Sequence, residues 1–177
     1  MKLLIIVDFQ NDFVDGSLGF AEAKLLEDKI FEKALNYQNN GDDIIFTLDT
    51  HYDDYLQTQE GINLPIAHCI KNTIGWDLFG KLKDIKGYKL EKNTFGSVEL
   101  FNFLKNSQYN EIELVGLVSN ICVISNAIIA KTTLPEAKII IDASCTSSSD
   151  KTLHEKVLDV MEGLQIKVIN RGVTNAN

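Results

Sequence analysis

The stretch Glu111–Lys131, EIELVGLVSNICVISNAIIAK, predicts a buried strand followed at once by a turn and a helix. The apolar run before Ser119 is typical of a buried strand, and serine and asparagine, here Ser119 and Asn120, favour turns and helix N-caps. From Ile124 onward, apolar residues recur at helical spacing. Cys122 is therefore expected in the first turn of a helix that leaves the end of a strand.

Cys122 admits two interpretations from this stretch alone. A helix N-terminus favours negative charge and lowers the pKa of a thiol, which would make Cys122 a nucleophile. Free cysteine is also among the most buried residue types, so the same side chain could be a small apolar core residue. The choice depends on which groups the rest of the chain brings to the end of this strand.

The composition predicts one globular domain that covers residues 1–177. Of the 177 residues, 45% are hydrophobic and 24% are charged, as in an ordinary soluble protein. The formal net charge of -8 argues against nucleic acid or an anionic membrane as a partner, because both require basic surfaces. A small-molecule substrate is the partner that we expect.

Cysteine usage and the N-terminus predict a cytoplasmic location. The three cysteines include no CxxC pair, so a disulfide framework is not expected and a reducing compartment is favoured. The run MKLLIIV is too short for the apolar region of a signal peptide. No apolar run approaches the ~18 to 20 residues of a membrane helix.

Strand and helix patterns alternate along the chain. Short apolar runs predict six strands, at residues 3–7, 44–48, 88–91, 112–117, 138–141 and 165–169. Helical patterns predict helices at residues 21–37, 98–104 and 150–162, a short helix at 76–82, and the helix after Cys122. The alternation indicates βαβ units, and hence an α/β fold with a mostly parallel six-stranded sheet covered on both faces.

Polar residues follow three of these strands, in addition to the turn that carries Cys122. They are Asp8, Asp49 and Lys92. Because ligands of such folds bind at the carboxyl ends of the strands, we expect the four groups to share one edge of the sheet. Taken singly, Asp8 is typical of a cap or loop acid, and Lys92 of a solvated surface lysine.

A nucleotide-binding module is the alternative for this architecture. It requires a glycine-rich turn after the first strand, where backbone N–H groups hold phosphate. The sequence at that place is DFQND, with two acids and no glycine. A phosphate-binding loop is therefore not expected.

The chain resembles the isochorismatase-like superfamily of cysteine hydrolases, whose best known members are nicotinamidases. The resemblance rests on IIVDFQNDF, the DTH after the second strand, LPIAHC, EKNTFGS and GLVSNICV, which occur in this order. It implies a three-layer α/β/α fold and a catalytic triad of Asp8, Lys92 and Cys122. In such a triad Asp8 would accept the thiol proton and Lys92 would favour the thiolate.

The same resemblance implies two features of the backbone near the nucleophile. One is a cis peptide bond at Val118–Ser119. The other is an oxyanion hole formed by the backbone N–H groups of Ser119 and Cys122.

Two of the three histidines, His51 and His68, fall with Asp49 in the irregular segment 49–75. A lone histidine is usually a satisfied core or surface residue, but two near an aspartate suggest a metal site. The resemblance adds Glu60 as a fourth ligand and implies that the ion holds the substrate ring. Imidazole and carboxylate ligands suit Zn²⁺, and Fe²⁺ or Mn²⁺ are alternatives that ligand type alone does not separate.

Four further side chains receive an expected place. Phe13 matches a position where the family has an aromatic residue that stacks on the substrate, and a hydrophobic lid residue is the alternative. Cys69 and Cys145 are expected in the packed core. His154 is expected on the exposed side of the late helix.

The nucleophile turn departs from that of nicotinamidases at Ser119–Asn120, where those enzymes usually carry Thr-Asp. Asparagine at this place resembles hydrolases of carbamoyl or ureido groups, whereas the metal ligands favour nicotinamide. Three functions are therefore considered: a metal-containing amidohydrolase of nicotinamide or a close aromatic amide, a hydrolase of the same fold for another small amide, carbamoyl or ureido compound, and a non-catalytic binding protein. The resemblance also implies a homo-oligomer.

Overall fold

A computed structural model describes residues 1–172, and its centre is a parallel sheet of six strands. The strands are β1 (Lys2–Val7), β2 (Asp43–Asp49), β3 (Tyr88–Lys92), β4 (Glu111–Leu117), β5 (Lys138–Ser147) and β6 (Lys167–Ile169). Their spatial order is β3-β2-β1-β4-β5-β6, and each neighbouring pair is parallel. The predicted six-stranded parallel sheet is confirmed.

Helices cover both faces of this sheet. They are α1 (Asn11–Val14), α2 (Ala21–Lys24), α3 (Glu27–Asn39), α4 (Gln59–Asn63), α5 (Val98–Leu104), α6 (Ile124–Thr133) and α7 (Lys151–Gly163). None of the helices within residues 1–172 is long and apolar enough to cross a membrane.

The alternation of side chains along β1 divides the hydrophobic core into two parts. Leu4 and Ile6 point to one face of the sheet, where they join a cluster that includes Ile30 of α3. Leu3 and Ile5 point to the other face, in the cluster formed with α5, α6 and α7. Because helices pack on both sides, the fold is the predicted three-layer α/β/α arrangement.

The predicted helix at 21–37 is wrong in one respect, because it is divided into α2 and α3 by a turn at Leu25–Leu26. The sequence pattern assigns Leu25 to the buried face, yet this side chain is 60% exposed. In α3 the buried positions are Ile30, Ala34 and Tyr37, which lie at helical spacing. The break lets α2 and α3 bury different apolar residues.

Strand β5 is longer than predicted, since it continues past Ile141 to Ser147. Its register with β4 shifts between Leu114 and Gly116. The second half of β5 is polar, so its sequence favours a loop, but hydrogen bonds along β4 extend the strand. This extension carries the chain to the same sheet edge as Cys122.

The segment 49–75 is irregular as predicted, although α4 and two short 3₁₀ turns interrupt it. The predicted short helix at 76–82 is replaced by 3₁₀ turns at Ile74–Trp76 and Gly80–Asp84. Between these turns, Leu78 forms an isolated bridge with Gln10. The bridge requires an extended backbone at Leu78, which is incompatible with a continuous helix over residues 76–82.

Candidate active site

The carboxyl ends of adjacent strands bring the predicted polar residues together. Asp8 directly follows β1, while Asp49 ends β2 opposite Lys92, which ends β3. Cys122 lies in the turn after β4. Strand β4 pairs with β1 on the side opposite to β2. The four residues therefore meet at one edge of the sheet, as the sequence predicts.

Lys92 contacts both other members of the predicted triad. Its Nζ lies 2.6 Å from Asp8 Oδ2 and 3.7 Å from Cys122 Sγ. Asp8, Lys92 and Cys122 are 0%, 6% and 4% exposed. A buried lysine remains charged only where an acid compensates for its lost hydration, and Asp8 supplies that acid here. The surface-lysine alternative for Lys92 is wrong.

The carboxylate of Asp8 is held by its neighbour on β2. Thr47 Oγ1 donates a hydrogen bond of 2.6 Å to Asp8 Oδ1, and Asp8 N donates to Thr47 O at 3.2 Å. Asp8 has a φ of 46°, a left-handed conformation that is uncommon for a residue other than glycine. Its Oδ2 forms the ion pair with Lys92, so this oxygen lies beside the ammonium that contacts Cys122 Sγ.

Burial is the largest influence on the pKa values of Asp8 and Cys122. It raises the pKa of the Asp8 carboxyl, and the charge of Asp49 adds to the effect while Lys92 opposes it. Burial and then the charge of Asp8 raise the pKa of the Cys122 thiol well above its usual value, against the opposing charge of Lys92. The resting thiol is thus neutral, and the lowered thiol pKa expected from the helix N-terminus is not found.

The turn after β4 is a single wide helical turn, Ser119–Val123, which leads directly into α6. The cis peptide bond joins Leu117 to Val118. The expected cis bond at Val118–Ser119 is therefore wrong by one residue.

Asn126 of α6 fixes the later part of this turn, near Cys122. The sequence pattern did not indicate this role. Its Nδ2 donates to Cys122 O at 2.8 Å and to Phe95 O at 3.1 Å. Its Oδ1 accepts from Ser97 N at 3.0 Å. An asparagine within an apolar helical stretch could have indicated this role, because buried polar groups need hydrogen-bond partners, and Asn126 is fully buried.

His154 is not a plain surface residue, contrary to the expectation. It is half-buried on α7, and its Nδ1 lies 2.9 Å from Ser119 Oγ. The helix therefore turns this imidazole toward the turn Ser119–Val123. Cys69 and Cys145 are buried and free, which confirms their expected place in the core.

The four predicted metal ligands form one cluster. Asp49, His51, Glu60 and His68 each offer a donor atom, and these atoms lie within 4.8 Å of one another. Asp49 Oδ2 lies 3.1 Å from His51 Nε2 and 3.3 Å from His68 Nε2. Glu60 Oε1 lies 3.7 Å from each of the two Nε2 atoms.

The cluster has the spacing and chemistry of a divalent-metal site. Donors bound at ~2.1 Å in a tetrahedron are about 3.4 Å apart, close to the separations found here. Nδ1 of His68 contacts Ile66 O at 2.8 Å, which leaves Nε2 facing the cluster. Two imidazoles and two carboxylates are a donor set for zinc, iron or manganese. The residues present therefore fit such an ion.

Gln10, in the loop after β1, holds the end of β2 where Asp49 lies. The sequence analysis did not identify this role of Gln10. Its Nε2 donates to Asp49 O at 2.9 Å and to Trp76 O at 2.8 Å, while its Oε1 accepts from Asp49 N at 2.8 Å. Gln10 is fully buried. These bonds fix the backbone of Asp49 between the cluster and Lys92.

A cavity of about 160 Å³ opens between the metal cluster and Cys122. One end has polar side chains, and the walls are mostly apolar. Its lining includes Phe13, Leu18, Phe20, Asp49, Glu60, Leu64, His68, Phe95, Val118, Ile121, Cys122 and Ser149. Pockets for drug-sized ligands run from about 300 Å³ upward, so this one suits a small compound.

A second, wider cleft of about 760 Å³ adjoins the smaller cavity. It shares Glu60, Leu64, Phe95 and Ile121 with the smaller cavity. His51 and Tyr55 line only the wider cleft.

Phe13 forms part of the wall of the small cavity. Its ring is 8% exposed and meets the ring of His68 edge-on, with centroids 5.5 Å apart. An aromatic wall beside His68 can hold a flat ring.

Comparison with known proteins agrees with this geometry. The profile of the isochorismatase domain family matches residues 2–172. The uncharacterized isochorismatase family protein PncA of Bacillus subtilis (strain 168) is 33% identical over 141 residues, which cover 72% of this chain and 76% of that protein. The nicotinamidase of Saccharomyces cerevisiae (strain ATCC 204508 / S288c) is 25% identical over an alignment of 217 residues, which covers 97% of this chain and 100% of that protein.

A solved structure is also similar over most of the chain. The crystal structure of nicotinamidase PncA from Bacillus subtilis superimposes with a TM-score of 0.84 at 27% identity, covering 94% of this chain and 98% of that one. Together these relatives support an amide-hydrolysing enzyme. Since the family profile spans nearly the whole sequence, this protein belongs to the isochorismatase family.

Proposed function

We propose that this enzyme hydrolyses the carboxamide of nicotinamide, or of a close aromatic amide, to the acid and ammonia. The observation that carries the proposal is the position of Lys92 Nζ, 2.6 Å from Asp8 Oδ2 and 3.7 Å from Cys122 Sγ. Cys122 lines a small, mostly apolar cavity, and three of the four metal-type ligands, Asp49, Glu60 and His68, line the same cavity. The relatives named above include a nicotinamidase from yeast and one from Bacillus subtilis.

In the proposed reaction, Cys122 is the nucleophile and Asp8 transfers the proton. Asp8 Oδ2 takes the thiol proton as Sγ forms a bond to the amide carbon. The tetrahedral intermediate collapses as Asp8 returns the proton to nitrogen, the C–N bond breaks and ammonia leaves. A water molecule, deprotonated by Asp8, then cleaves the thioester to release the acid and the thiol. The raised pKa of Asp8 favours this role, because its carboxyl must bind and release a proton near neutral pH.

Lys92 would act through its charge. Its ammonium lies between the acid and the sulfur, where it favours the anionic sulfur that forms during attack and keeps Asp8 ionised before attack. Burial alone would lower the pKa of Lys92, but the charges of Asp8 and Asp49 outweigh it and raise that pKa, so the ammonium keeps its positive charge.

Backbone N–H groups of the nucleophile turn would stabilise the oxyanion. The donors proposed from the family resemblance are those of Ser119 and Cys122. Cys122 and Val118 line the cavity, whereas the Ser119 side chain is directed to α7. The amide of Val118 is therefore a further candidate donor.

Asp49, His51, Glu60 and His68 would hold a divalent metal, with Zn²⁺ as the first candidate and Fe²⁺ or Mn²⁺ as alternatives. When bound, such an ion supplies a Lewis-acidic position for a ring nitrogen. Phe13 would hold the face or edge of the same ring, because it lines the cavity next to His68. The ring orientation would then place the carboxamide toward Cys122.

The proposal is tested by ammonia release from purified, metal-loaded enzyme with nicotinamide, benzamide and a small ureido compound. We expect nicotinamide to be hydrolysed at least about tenfold more efficiently than benzamide, since benzamide lacks the ring nitrogen. The variant Cys122→Ala should release none. Ammonia from the ureido compound alone would favour the second substrate class, and no release from any amide would favour a non-catalytic protein.

Three further properties are proposed. One domain would comprise residues 1–177, of which 173–177 lie outside the described part of the chain. The three free, buried cysteines suit a reducing cytoplasm. A homo-oligomer is proposed on the family resemblance alone, and light scattering of the purified protein would test it.

A further inference from the structure

A histidine on α7 reaches the turn that carries the nucleophile. His154 Nδ1 and Ser119 Oγ are 2.9 Å apart, and Ser119 is fully buried. Within residues 1–172, His154 is the one side chain that hydrogen-bonds the Ser119 hydroxyl. A buried hydroxyl that lost this partner would be left unsatisfied, so the contact has a defined cost to break.

The hydrogen bond lies at the start of the turn, whereas Asn126 holds its later part. Ser119 is the first residue of the turn, and Cys122 O accepts the bond from Asn126 Nδ2. Two side-chain contacts, one from α6 and one from α7, therefore hold the turn that carries Cys122.

The beginning of α7 is itself fixed near the cavity. Asp150 Oδ1 accepts from the backbone N–H groups of Thr152 and Leu153 at 2.9 and 3.0 Å, which caps the helix one turn before His154. Ser149, next to this cap, lines the small cavity with Cys122. The start of α7 thus contacts both the cavity and the nucleophile turn.

The environment of His154 favours the neutral imidazole, which can hydrogen-bond the Ser119 hydroxyl. Burial lowers its pKa, Arg171 acts in the same direction and Glu155 opposes them. No charge needs to change for the bond with Ser119 to persist near neutral pH.

We propose that His154 is a positioning residue for Cys122, acting through the Ser119 hydroxyl. It would hold the turn so that Sγ lies within reach of Lys92 and Asp8. The effect on turnover rests on the proposed amide hydrolysis, whereas the effect on the reactivity of Cys122 does not.

The kinetic test uses His154→Ala, Ser119→Ala and the double variant with the amide that the wild-type enzyme hydrolyses. Because a shift of the nucleophile by about 1 Å can cost up to a hundredfold, we expect each single variant to lose about tenfold or more in kcat. KM should stay within about twofold, since substrate contacts are unchanged. The double variant should be no slower than the slower single variant, because both remove one hydrogen bond.

Two matched variants separate positioning from stability. His154→Asn keeps a hydrogen-bonding group near the place of Nδ1 and should recover most of the lost rate. Met161→Ala removes a fully buried side chain at the far end of α7 and should lower the melting temperature without lowering kcat. If Met161→Ala slowed turnover as much as His154→Ala at equal stability loss, positioning by His154 would be wrong.

A second measurement is independent of amide hydrolysis. The rate of alkylation of Cys122 by iodoacetamide, followed by mass spectrometry of its peptide, should change by about threefold or more in His154→Ala and equally in the double variant. Unchanged alkylation, or effects that multiply in the double variant, would overturn the inference. If the wild type hydrolysed no amide but alkylation still changed as expected, the proposed function would fail and the inference would stand.

Discussion

Lys92 Nζ lies 3.3 Å from Asp49 Oδ1, and this contact joins the proposed triad to the metal-type cluster. The other oxygen of Asp49 faces the two histidines. Burial alone would raise the pKa of Asp49, but Lys92 and the hydrogen bonds from His51 and His68 outweigh it and hold the pKa well below its usual range. One ionised carboxylate therefore serves both parts of the site.

The first prediction concerns this shared charge. Lys92→Met would leave the buried carboxylates of Asp8 and Asp49 without their cation, and removal of one partner from a buried ion pair costs about 3–5 kcal/mol. We expect a loss of this order in the free energy of unfolding, measured by urea denaturation of metal-free protein at pH 7.

Lys89→Met is the matched control for this measurement. Lys89 is an exposed residue of the same strand, so its replacement should change the free energy of unfolding by less than about 0.5 kcal/mol. Equal stability of the two variants would show that Lys92 does not compensate buried charge.

A second prediction concerns the nucleophile. Cys122→Ala should reduce amide hydrolysis by about a thousandfold or more, because removal of a nucleophile removes the covalent route. Cys145→Ala is the matched control, because it removes the sulfur of another buried, free cysteine. This variant should keep nearly full activity. Ammonia release and thermal unfolding, measured on both variants, check this. Substantial hydrolysis by a folded Cys122→Ala protein would refute the assignment.

A third prediction concerns metal content. Elemental analysis of the purified protein should find about one divalent ion per chain, because four donors form a single cluster. His68→Ala should lose most of that ion. His154→Ala removes a histidine outside the cluster and should keep it.

Chelation gives the functional counterpart of the metal measurement. Protein stripped by a chelator should lose hydrolysis of nicotinamide and recover it when the ion is restored. If activity were independent of chelation, or if both histidine variants bound the same amount of metal, the metal assignment would be wrong.

Local patterns were sufficient to predict much of the fold and the site. Apolar runs that end at Asp8, Asp49 and Lys92 predict parallel strands, and topology brings the ends of such strands to one edge. The irregular segment with His51 and His68 follows from the absence of periodicity. These features depend on residues that are close in sequence, which is why a single chain is enough to find them.

Features that depend on tertiary contacts were missed. The helix at 21–37 breaks because packing, not periodicity, decides the exposure of Leu25. His154 lies on a face whose partner is the turn near Ser119, and no sequence spacing indicates that contact. The neutral state of Cys122 follows from burial and the nearby charge of Asp8, which outweigh the helix N-terminus. The length of β5 likewise depends on its pairing with β4.

The last prediction tests the close approach of β4 to β1 at Gly116. This residue has a φ of 105°, and an added Cβ would overlap the carbonyl oxygen of Val7 on β1. Gly116→Ala would force apart two central strands directly beneath Asp8 and Cys122. We expect a loss of about 3 kcal/mol or more in the free energy of unfolding, because both backbone strain and overpacking act at one position.

Gly163→Ala provides the control for the substitution itself. Apart from its chain neighbours and the backbone of its own helix, no atom of the described residues lies within 4 Å of a Cβ built at Gly163, the last residue of α7. Alanine is favoured over glycine in a helix by up to about 1 kcal/mol, so this variant should be neutral or slightly more stable. Urea denaturation of both variants compares them directly. If Gly116→Ala were as stable as Gly163→Ala, β1 and β4 would not be in the close contact that places Asp8 beside the turn carrying Cys122.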